Sequence, residues 1–501
     1  MADTALRHRG PELPVLSWLL AVSGVVLSVA ASFVVGPQGV LSGIIAVVGI
    51  MAIASRPHWG VATIMVFLMV QYGSRRAERA GFAGTLESLI PSGSGFLTLN
   101  NVLGILLLLV LVYHVYRDGD WSFLRNRQLQ LVALLTLALV VSGAWNAVDY
   151  REQAELGLRV RGQDPMRLMF SRGLFLLLFV CFVRRPREMR LIAGIFVILA
   201  LMTAWSGSSA AILGGGREEV AAYRAGGTAV LLEAAQNPNR LAMFATLGLI
   251  FIWQFLEGHP RARYRGFAFA GALLMVVTVF LSASRGGIVG LGVASALMFV
   301  RRRQGMKGMV YGAAAALVAA MMISQLLPPE ALERITNIPG ISDDADSGEG
   351  GGSVQRRQYT LGVGVKLWSE APVLGVGLGN WSYRRFLTDP ARSTASPHNS
   401  YIKALAEGGV VTLLLYLALF YVTVRQLNAI VAHPGAMAWA RSDGLEWMVH
   451  ATRISLLTFL VFSLFADLFD LIFFYLLIGL SAALIRRYFS GDVQRIPAIT
   501  V

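Results

Sequence analysis

The chain has 501 residues, of which 55% are apolar and only 14% are charged, and its formal net charge is +14. This composition excludes an ordinary soluble domain and indicates a polytopic membrane protein. The positive charge is divided among many short loops, so it is a signal of membrane topology and excludes a nucleic-acid-binding surface.

Apolar runs predict an all-α fold of about 12 to 14 transmembrane helices, because a helix needs about 20 apolar residues to cross a bilayer. Four runs are short, so twelve spans is the alternative to fourteen. We expect membrane helices in 1–327, one large polar loop at 328–399 and further membrane helices in 400–501. The runs lie near 15–35, 40–55, 59–72, 96–116, 129–145, 168–183, 191–211, 240–256, 266–283, 286–300, 308–327, 409–424, 454–466 and 468–485.

Basic residues predict the orientation of these runs. The first run is too long for the core of a cleaved signal peptide, which predicts a retained anchor with a cytoplasmic amino terminus. If the runs then alternate, the inward loops hold 23 of the 43 Lys and Arg residues although they are the shorter set, as the positive-inside rule requires. We therefore expect an inner-membrane protein whose 328–399 loop faces the periplasm. The single cysteine, Cys181, excludes a disulfide within the chain.

The large loop contains two predicted local structures before its end. Residues 343–353 are rich in Asp, Gly and Ser, a composition typical of a mobile linker. Residues 354–368 contain no proline and mix polar with apolar positions, which predicts an amphipathic helix carrying Arg356 and Arg357.

A second helix is predicted where the loop meets the next apolar run. Ser396 is a suitable N-cap and Pro397 a suitable first helical residue. His398 would then lie in the first turn, on the same face as Tyr401. Glycines at 408 and 409 would end or bend this helix.

Three motifs follow one another over about 40 residues in this part of the chain. They are Pro372-Val-Leu-Gly-Val-Gly, then His398-Asn-Ser-Tyr, then Glu407-Gly-Gly before an apolar run. This order resembles the O-antigen ligase and polymerase superfamily of bacterial membrane glycosyltransferases. The resemblance implies a donor glycan on undecaprenyl diphosphate, an acceptor glycan or lipid A-core, no cofactor or metal, and His398 as catalytic base supported by Asn399 and Tyr401.

Arginines at the outer ends of predicted spans are candidates for binding the diphosphate. Arg172 and Arg285 each occur in a Ser-Arg-Gly tripeptide at similar predicted depth. A guanidinium presents paired donors that match phosphate oxygens, and the resemblance implies this role. The alternative is that both side chains extend to lipid headgroups.

The segment Asn237-Pro-Asn-Arg240 opens another span at the same side and resembles an Asn-Pro-Asn element of the superfamily. We therefore add Arg240 as a diphosphate ligand and Asn239 as a supporting residue, together with Arg356 and Arg357. The alternative for the Asn-Pro pair is helix capping alone.

Alternatives also exist for the histidine and for the acidic cluster. An isolated loop histidine is usually a surface residue, but the surrounding motif favours a functional His398. In the first turn of a helix the positive end of the dipole disfavours imidazolium, which keeps a general base neutral.

Acidic residues in 343–346 could mimic a metal site, but their glycine neighbours favour a solvated linker (Asp343, Asp344, Asp346).

The sequence thus predicts an inverting, metal-independent glycosyltransferase that acts on a sugar hydroxyl at the periplasmic face. We favour a polymerase of O-antigen or exopolysaccharide over a ligase to lipid A-core, with a protein O-oligosaccharyltransferase as a third alternative. A transporter or flippase is disfavoured because its charges would lie near mid-bilayer on paired broken helices. A structural scaffold would leave the His-Asn-x-Tyr motif unexplained.

Overall fold

The computed structural model describes residues 53, 55–70, 99–146, 163–213, 237–259, 264–301, 351–388 and 397–489. The protein is an all-α polytopic membrane protein, as predicted. A short 3-10 turn at Ser122–Arg125 accompanies the α-helices. The helices are α1 (Pro57–Val70), α2 (Leu99–Asp118), α3 (Arg127–Trp145), α4 (Gln163–Phe182), α5 (Pro186–Leu213), α6 (Pro238–Gly258), α7 (Arg265–Leu281), α8 (Arg285–Arg301), α9 (Gly351–Glu370), α10 (Trp381–Thr388), α11 (Ser400–Ala432), α12 (Pro434–Ser442), α13 (Glu446–Phe462) and α14 (Ile472–Tyr488).

Every predicted apolar run that falls largely on described residues corresponds to one of these helices. Within the described ranges, four helices are long and apolar enough to cross a membrane alone, namely α3, α5, α6 and α11. The pair α12 and α13 passes the same test jointly and is bent by 114°. The predicted runs at 15–35 and 308–327, and nearly all of 40–55, lie outside the described residues, so the total of 12 or 14 spans stays a prediction.

Helix α14 forms the centre of the bundle. Nearly all its residues are buried, which is the expected position of a helix that is apolar on every side. Its Phe473 ring lies 4.2 Å from the ring of Phe244 on α6 and 6.4 Å from that of Phe196 on α5. Helix α14 is therefore packed among the other helices. It begins at the same end of the bundle as α11, because the Ser400 hydroxyl at the start of α11 accepts the N–H of Leu468, just before α14.

Charged loops meet at the opposite end of the bundle. Arg184 lies 2.8 Å from Asp120, and the Arg190 guanidinium donates to the carbonyl oxygen of Asp443 at 2.8 Å. Asp443 also pairs with Arg487 at the carboxyl end of α14. These residues come from loops that the charge pattern assigns to one side of the membrane, and the structure brings them together. We call this the arginine-rich end; that it faces the cytoplasm stays a prediction.

The insert between α8 and α11 carries α9 and α10. The predicted helix at 354–368 is confirmed, but α9 already begins at Gly351, so the end of the predicted linker is helical. The rest of that linker, including the acidic cluster, lies outside the described residues. A small apolar core holds the insert against α11 through Leu367, Trp381 and Ala406.

The predicted start of α11 was wrong by three residues. The helix begins at Ser400, and the Asn399 side chain accepts hydrogen bonds from the backbone N–H groups of Tyr401 and Ile402. Asn399 is the N-cap because its backbone is extended and its side chain reaches both donors. His398 consequently precedes the helix instead of lying in its first turn, and Ser396 lies outside the described residues. The predicted bend is confirmed at Gly409, where φ is 68° and ψ is −171°.

Candidate functional site

The segment 463–471, which joins α13 to α14, is the centre of the candidate site, and we call it the hub loop. Its backbone carbonyls accept hydrogen bonds from side chains on two other helices. The Asn239 amide donates to the oxygen of Phe465 at 3.2 Å, and Arg240 donates to that of Asp467 at 2.8 Å. Arg172 on α4 donates from Nε to the oxygen of Asp470 at 3.1 Å. The hub loop therefore holds both Arg172 and Arg240.

The amino terminus of α11 is bound to the same loop through Ser400. The Ser400 backbone N–H donates to the Ser463 oxygen at 2.8 Å, and its hydroxyl donates to the Ala466 oxygen at 2.9 Å. That hydroxyl also accepts the backbone N–H of Leu468 at 2.9 Å. His398, two residues earlier, is therefore fixed beside the hub loop.

The backbone of His398 has an uncommon conformation. Its φ is 49°, in the left-handed region that residues other than glycine seldom adopt. Such conformations cost free energy and persist where the surroundings impose them, often at functional sites. Here the cap at Asn399 and the bonds of Ser400 fix the chain that directly follows His398.

Arg285 begins α8, and this helix start is held against the same cluster. The Ser284 hydroxyl donates to the Asn239 side-chain oxygen and accepts the backbone N–H of Gly287 at 2.9 Å. A Cβ at Gly286 would lie 2.7 Å from the Cβ of Phe465, so only glycine allows this approach to the hub loop. The structure thus places the start of α8, with Arg285, next to α6 and the hub loop.

Lys403 and two hub-loop carboxylates form a charged cluster. The Lys403 Nζ lies 2.9 Å from Asp467 Oδ2 and 3.9 Å from Asp470 Oδ2. Burial by itself would raise the pKa of Asp470, but the charges of Lys403, Arg240 and Arg172 outweigh it and the net shift is downward. Asp470 is therefore a carboxylate surrounded by three cations.

The candidate residues differ in how accessible they are. Arg172 is 1% exposed, whereas Arg240, Arg285 and His398 are only partly buried. Asn399 serves as a helix cap, and the Tyr401 hydroxyl donates to the Leu460 oxygen at 2.7 Å, so both stabilise the start of α11. Arg356 and Arg357 lie in the first half of α9.

Two of the sequence motifs bind each other through their backbones. The N–H of Gly377 donates to the oxygen of Glu407 at 3.0 Å, and the N–H of Val410 donates to the oxygen of Pro372 at 2.9 Å. Gly375 and Gly409 have φ values of 70° and 68°, and a Cβ on either would overlap the partner backbone. The glycines of both motifs are therefore required for this contact, which we call the glycine interlock.

Glu407 joins the glycine interlock to neighbouring helices. Its backbone oxygen accepts the Ser142 hydroxyl of α3 at 2.7 Å, and its carboxylate accepts the Trp381 backbone N–H at the start of α10 at 3.4 Å. Glu407 is 3% exposed. The interlock thus fixes the insert and α3 against α11, the helix that follows His398.

Sequence analysis missed Ser400, Lys403 and the hub loop as parts of the site. The predicted runs 454–466 and 468–485 left a single residue for the loop, whereas α13 ends at Phe462 and α14 begins at Ile472. A signal was present, since Asp467 and Asp470 interrupt an apolar stretch and ionisable residues in such a place are functional by default.

A comparison with known families agrees with the motifs. Residues 270–417 match a family model described as O-antigen ligase. The match confirms the resemblance to the O-antigen ligase and polymerase superfamily and supports a glycosyltransferase-like role in assembling O-antigen or a related polysaccharide. It includes Arg285 and His398, whereas Arg172 and Arg240 precede it. No curated protein sequence matches the chain.

Proposed function

We propose that the protein transfers a glycan from undecaprenyl diphosphate to a sugar hydroxyl at the periplasmic face of the inner membrane. The observation that carries this proposal is the hub loop, because it contacts Arg172 of α4, Arg240 of α6 and, through Ser400, the start of α11 that directly follows His398. A transfer from a diphosphate is favoured by cations at the leaving group and a base at the attacking hydroxyl, and the contacts of the hub loop with the arginines and with Ser400 support such a site.

In the proposed reaction, the His398 imidazole takes the proton of the acceptor hydroxyl. The oxygen attacks the anomeric carbon of the donor, and the bond from that carbon to the diphosphate oxygen breaks with its electron pair. A direct displacement of this kind inverts the anomeric centre. General-base catalysis contributes about 10²- to 10⁴-fold in rate.

The leaving diphosphate gains negative charge, which cations stabilise more strongly in a site that excludes water. Arg240 and Arg285 suit direct contact with it because both are partly exposed. Arg172 is buried and donates to the Asp470 carbonyl, so we assign it to the inner wall of the same site. A guanidinium has five N–H donors, so one bond to a carbonyl does not exhaust Arg240.

Within this reaction class we favour a polysaccharide polymerase, whose acceptor is a second lipid-linked glycan, and keep ligation to lipid A-core as the second candidate. Purified protein with a synthetic polyprenyl-diphosphate oligosaccharide distinguishes them. A ladder of products from the donor alone identifies a polymerase. A single addition that requires lipid A-core identifies a ligase. Absence of transfer under both conditions would contradict the proposed function.

A further inference from the structure

Lys403 is a basic residue at the site for which the proposed reaction has no role. It lies one turn into α11, its side chain is 16% exposed, and its Nζ stands between the carboxylates of Asp467 and Asp470. The sequence contains two other lysines, Lys307 and Lys366, and Lys366 lies exposed on α9. An ammonium is a compact charge that suits a place between two carboxylates.

The two carboxylates pose an electrostatic problem for the proposed donor. A diphosphate is an anion, and like charges placed side by side weaken binding strongly. Yet Asp467 and Asp470 belong to the loop that holds Arg172 and Arg240. Both arginines donate to backbone carbonyl oxygens of this loop. The arginines thus donate to backbone oxygens of the loop and act on Asp470 only through their charge, whereas Lys403 is in direct contact with the carboxylate of Asp467.

We propose that Lys403 is a positioning residue whose single positive charge offsets part of the negative charge of Asp467 and Asp470, so that the arginines can bind the donor diphosphate, and that Lys403 itself does not touch the donor. This inference rests on the proposed function. The inference gives the two carboxylates an effect of their own, since without Lys403 they repel an anionic donor. The downward shift of the Asp470 pKa agrees with a carboxylate that keeps its charge within this cluster.

An electrostatic role of Lys403 can be distinguished from a structural one, because the two roles predict opposite changes in the donor KM of the Asp467→Asn variant. If the role of Lys403 is electrostatic, Lys403→Met makes the cluster more negative by one charge and raises the donor KM about tenfold or more, whereas Asp467→Asn removes a negative charge and lowers the donor KM. If the pair were only a structural bridge, both substitutions would raise the donor KM together. The double variant Lys403→Met/Asp467→Asn should return the donor KM to within about threefold of wild type, since the two changes compensate.

The measurement is the initial rate of transfer against the concentration of the polyprenyl-diphosphate donor, with thermal stability recorded for each variant. Lys366→Met serves as the matched control, because it removes the same group from the exposed surface of the insert and should leave the donor KM unchanged. Lys403→Arg should retain most of the wild-type affinity, since it keeps the charge.

An unchanged donor KM in Lys403→Met, or a donor KM that rises in Asp467→Asn, would overturn the inference. Failure of the double variant to recover while its thermal stability is normal would show that Lys403 binds the donor directly, which also overturns it. These outcomes differ from failure of the proposed function, in which wild-type protein would show no transfer from this donor at all.

Discussion

Gly375 lies directly against the backbone of Glu407, and its positive φ of 70° is the conformation that lets the two chains meet. The contact joins a turn of the insert to the first part of α11, two turns after the helix begins at Ser400. Because both the conformation and the space exclude a side chain, the contact can be tested with a single methyl group.

We expect Gly375→Ala to lower the free energy of unfolding by about 2 kcal/mol or more, since a strained backbone conformation alone costs about 1 to 3 kcal/mol. Transfer activity should fall with it, because the glycine interlock holds α11. Thermal unfolding in detergent measures the first effect. Gly362→Ala is the matched control: this glycine lies inside α9 with nothing near its Cβ position, so alanine should stabilise by about 0.5 to 1 kcal/mol. Equal stability of the two variants would contradict the role given to the interlock.

His398→Asn should lose about 10²- to 10⁴-fold in kcat, as expected when a general base is removed. Asparagine is the preferred replacement because it tolerates the left-handed backbone that His398 adopts. Donor affinity should survive, since the base acts on the acceptor proton in the transition state. A neutral imidazole is required, so wild-type turnover should also fall on acidification, which protonates the ring.

The control for this substitution is His114→Asn on α2, near the arginine-rich end, where His114 lies 3.4 Å from Asp118. It should leave turnover unchanged. If His398→Asn kept more than about a tenth of wild-type turnover, the loss would be smaller than general-base catalysis supplies, and His398 would be no more than an orienting residue.

Arg240→Ala and Arg285→Ala should each lower kcat/KM for the donor roughly 10- to 100-fold, the range of a lost hydrogen bond to a charged group. Lysine should restore little, because it lacks the planar pair of donors. Arg172→Ala should reduce thermal stability in addition, since its buried guanidinium supports the hub loop.

Steady-state kinetics with varied donor would measure these losses, and Arg441→Ala is the control, because Arg441 is an exposed arginine at the arginine-rich end. Full activity in the Arg240→Ala or Arg285→Ala variant would remove that residue from the site.

Topology can be tested with single cysteines, because the native Cys181 is buried and gives little background. Gln358 on α9 and Arg441 on α12 are both exposed and belong to opposite predicted sides. In cells with a permeabilised outer membrane, an impermeant maleimide should label Gln358→Cys and leave Arg441→Cys unlabelled until the inner membrane is opened. The reverse pattern would invert the predicted orientation.

The helices were predictable because the thickness of the bilayer dictates long apolar runs, and the insert helix was predictable from its mixture of polar and apolar residues. The hub loop was not predictable from hydropathy. Leu468, Phe469 and Leu471 are buried in a loop as fully as they would be in a helix, so their apolar character reports burial and carries no information on backbone conformation. The start of α11 was misplaced for a similar reason, since Ser396 and Asn399 are both good caps by residue type and only the backbone decides between them.

The sequence predicted His398, Arg172, Arg285 and Arg240 as candidate site residues, but the contacts that hold them depend on tertiary structure. Arg172 and Asp470 are 298 positions apart, and no local pattern in the sequence joins them. Lys403 was overlooked because a lysine near the end of a membrane helix commonly extends its side chain to the water or the lipid headgroups.

The hub loop binds Asn239, Arg240 and Arg172 through its backbone oxygens, at positions 465, 467 and 470. Every residue type carries such an oxygen, so these three bonds depend on spacing along the chain and not on which side chains occupy those positions. These three bonds therefore depend on the length of the loop and not on its residue types. Deleting one residue between 465 and 470 would shift every later carbonyl out of register with its donor, even if every remaining side chain were kept.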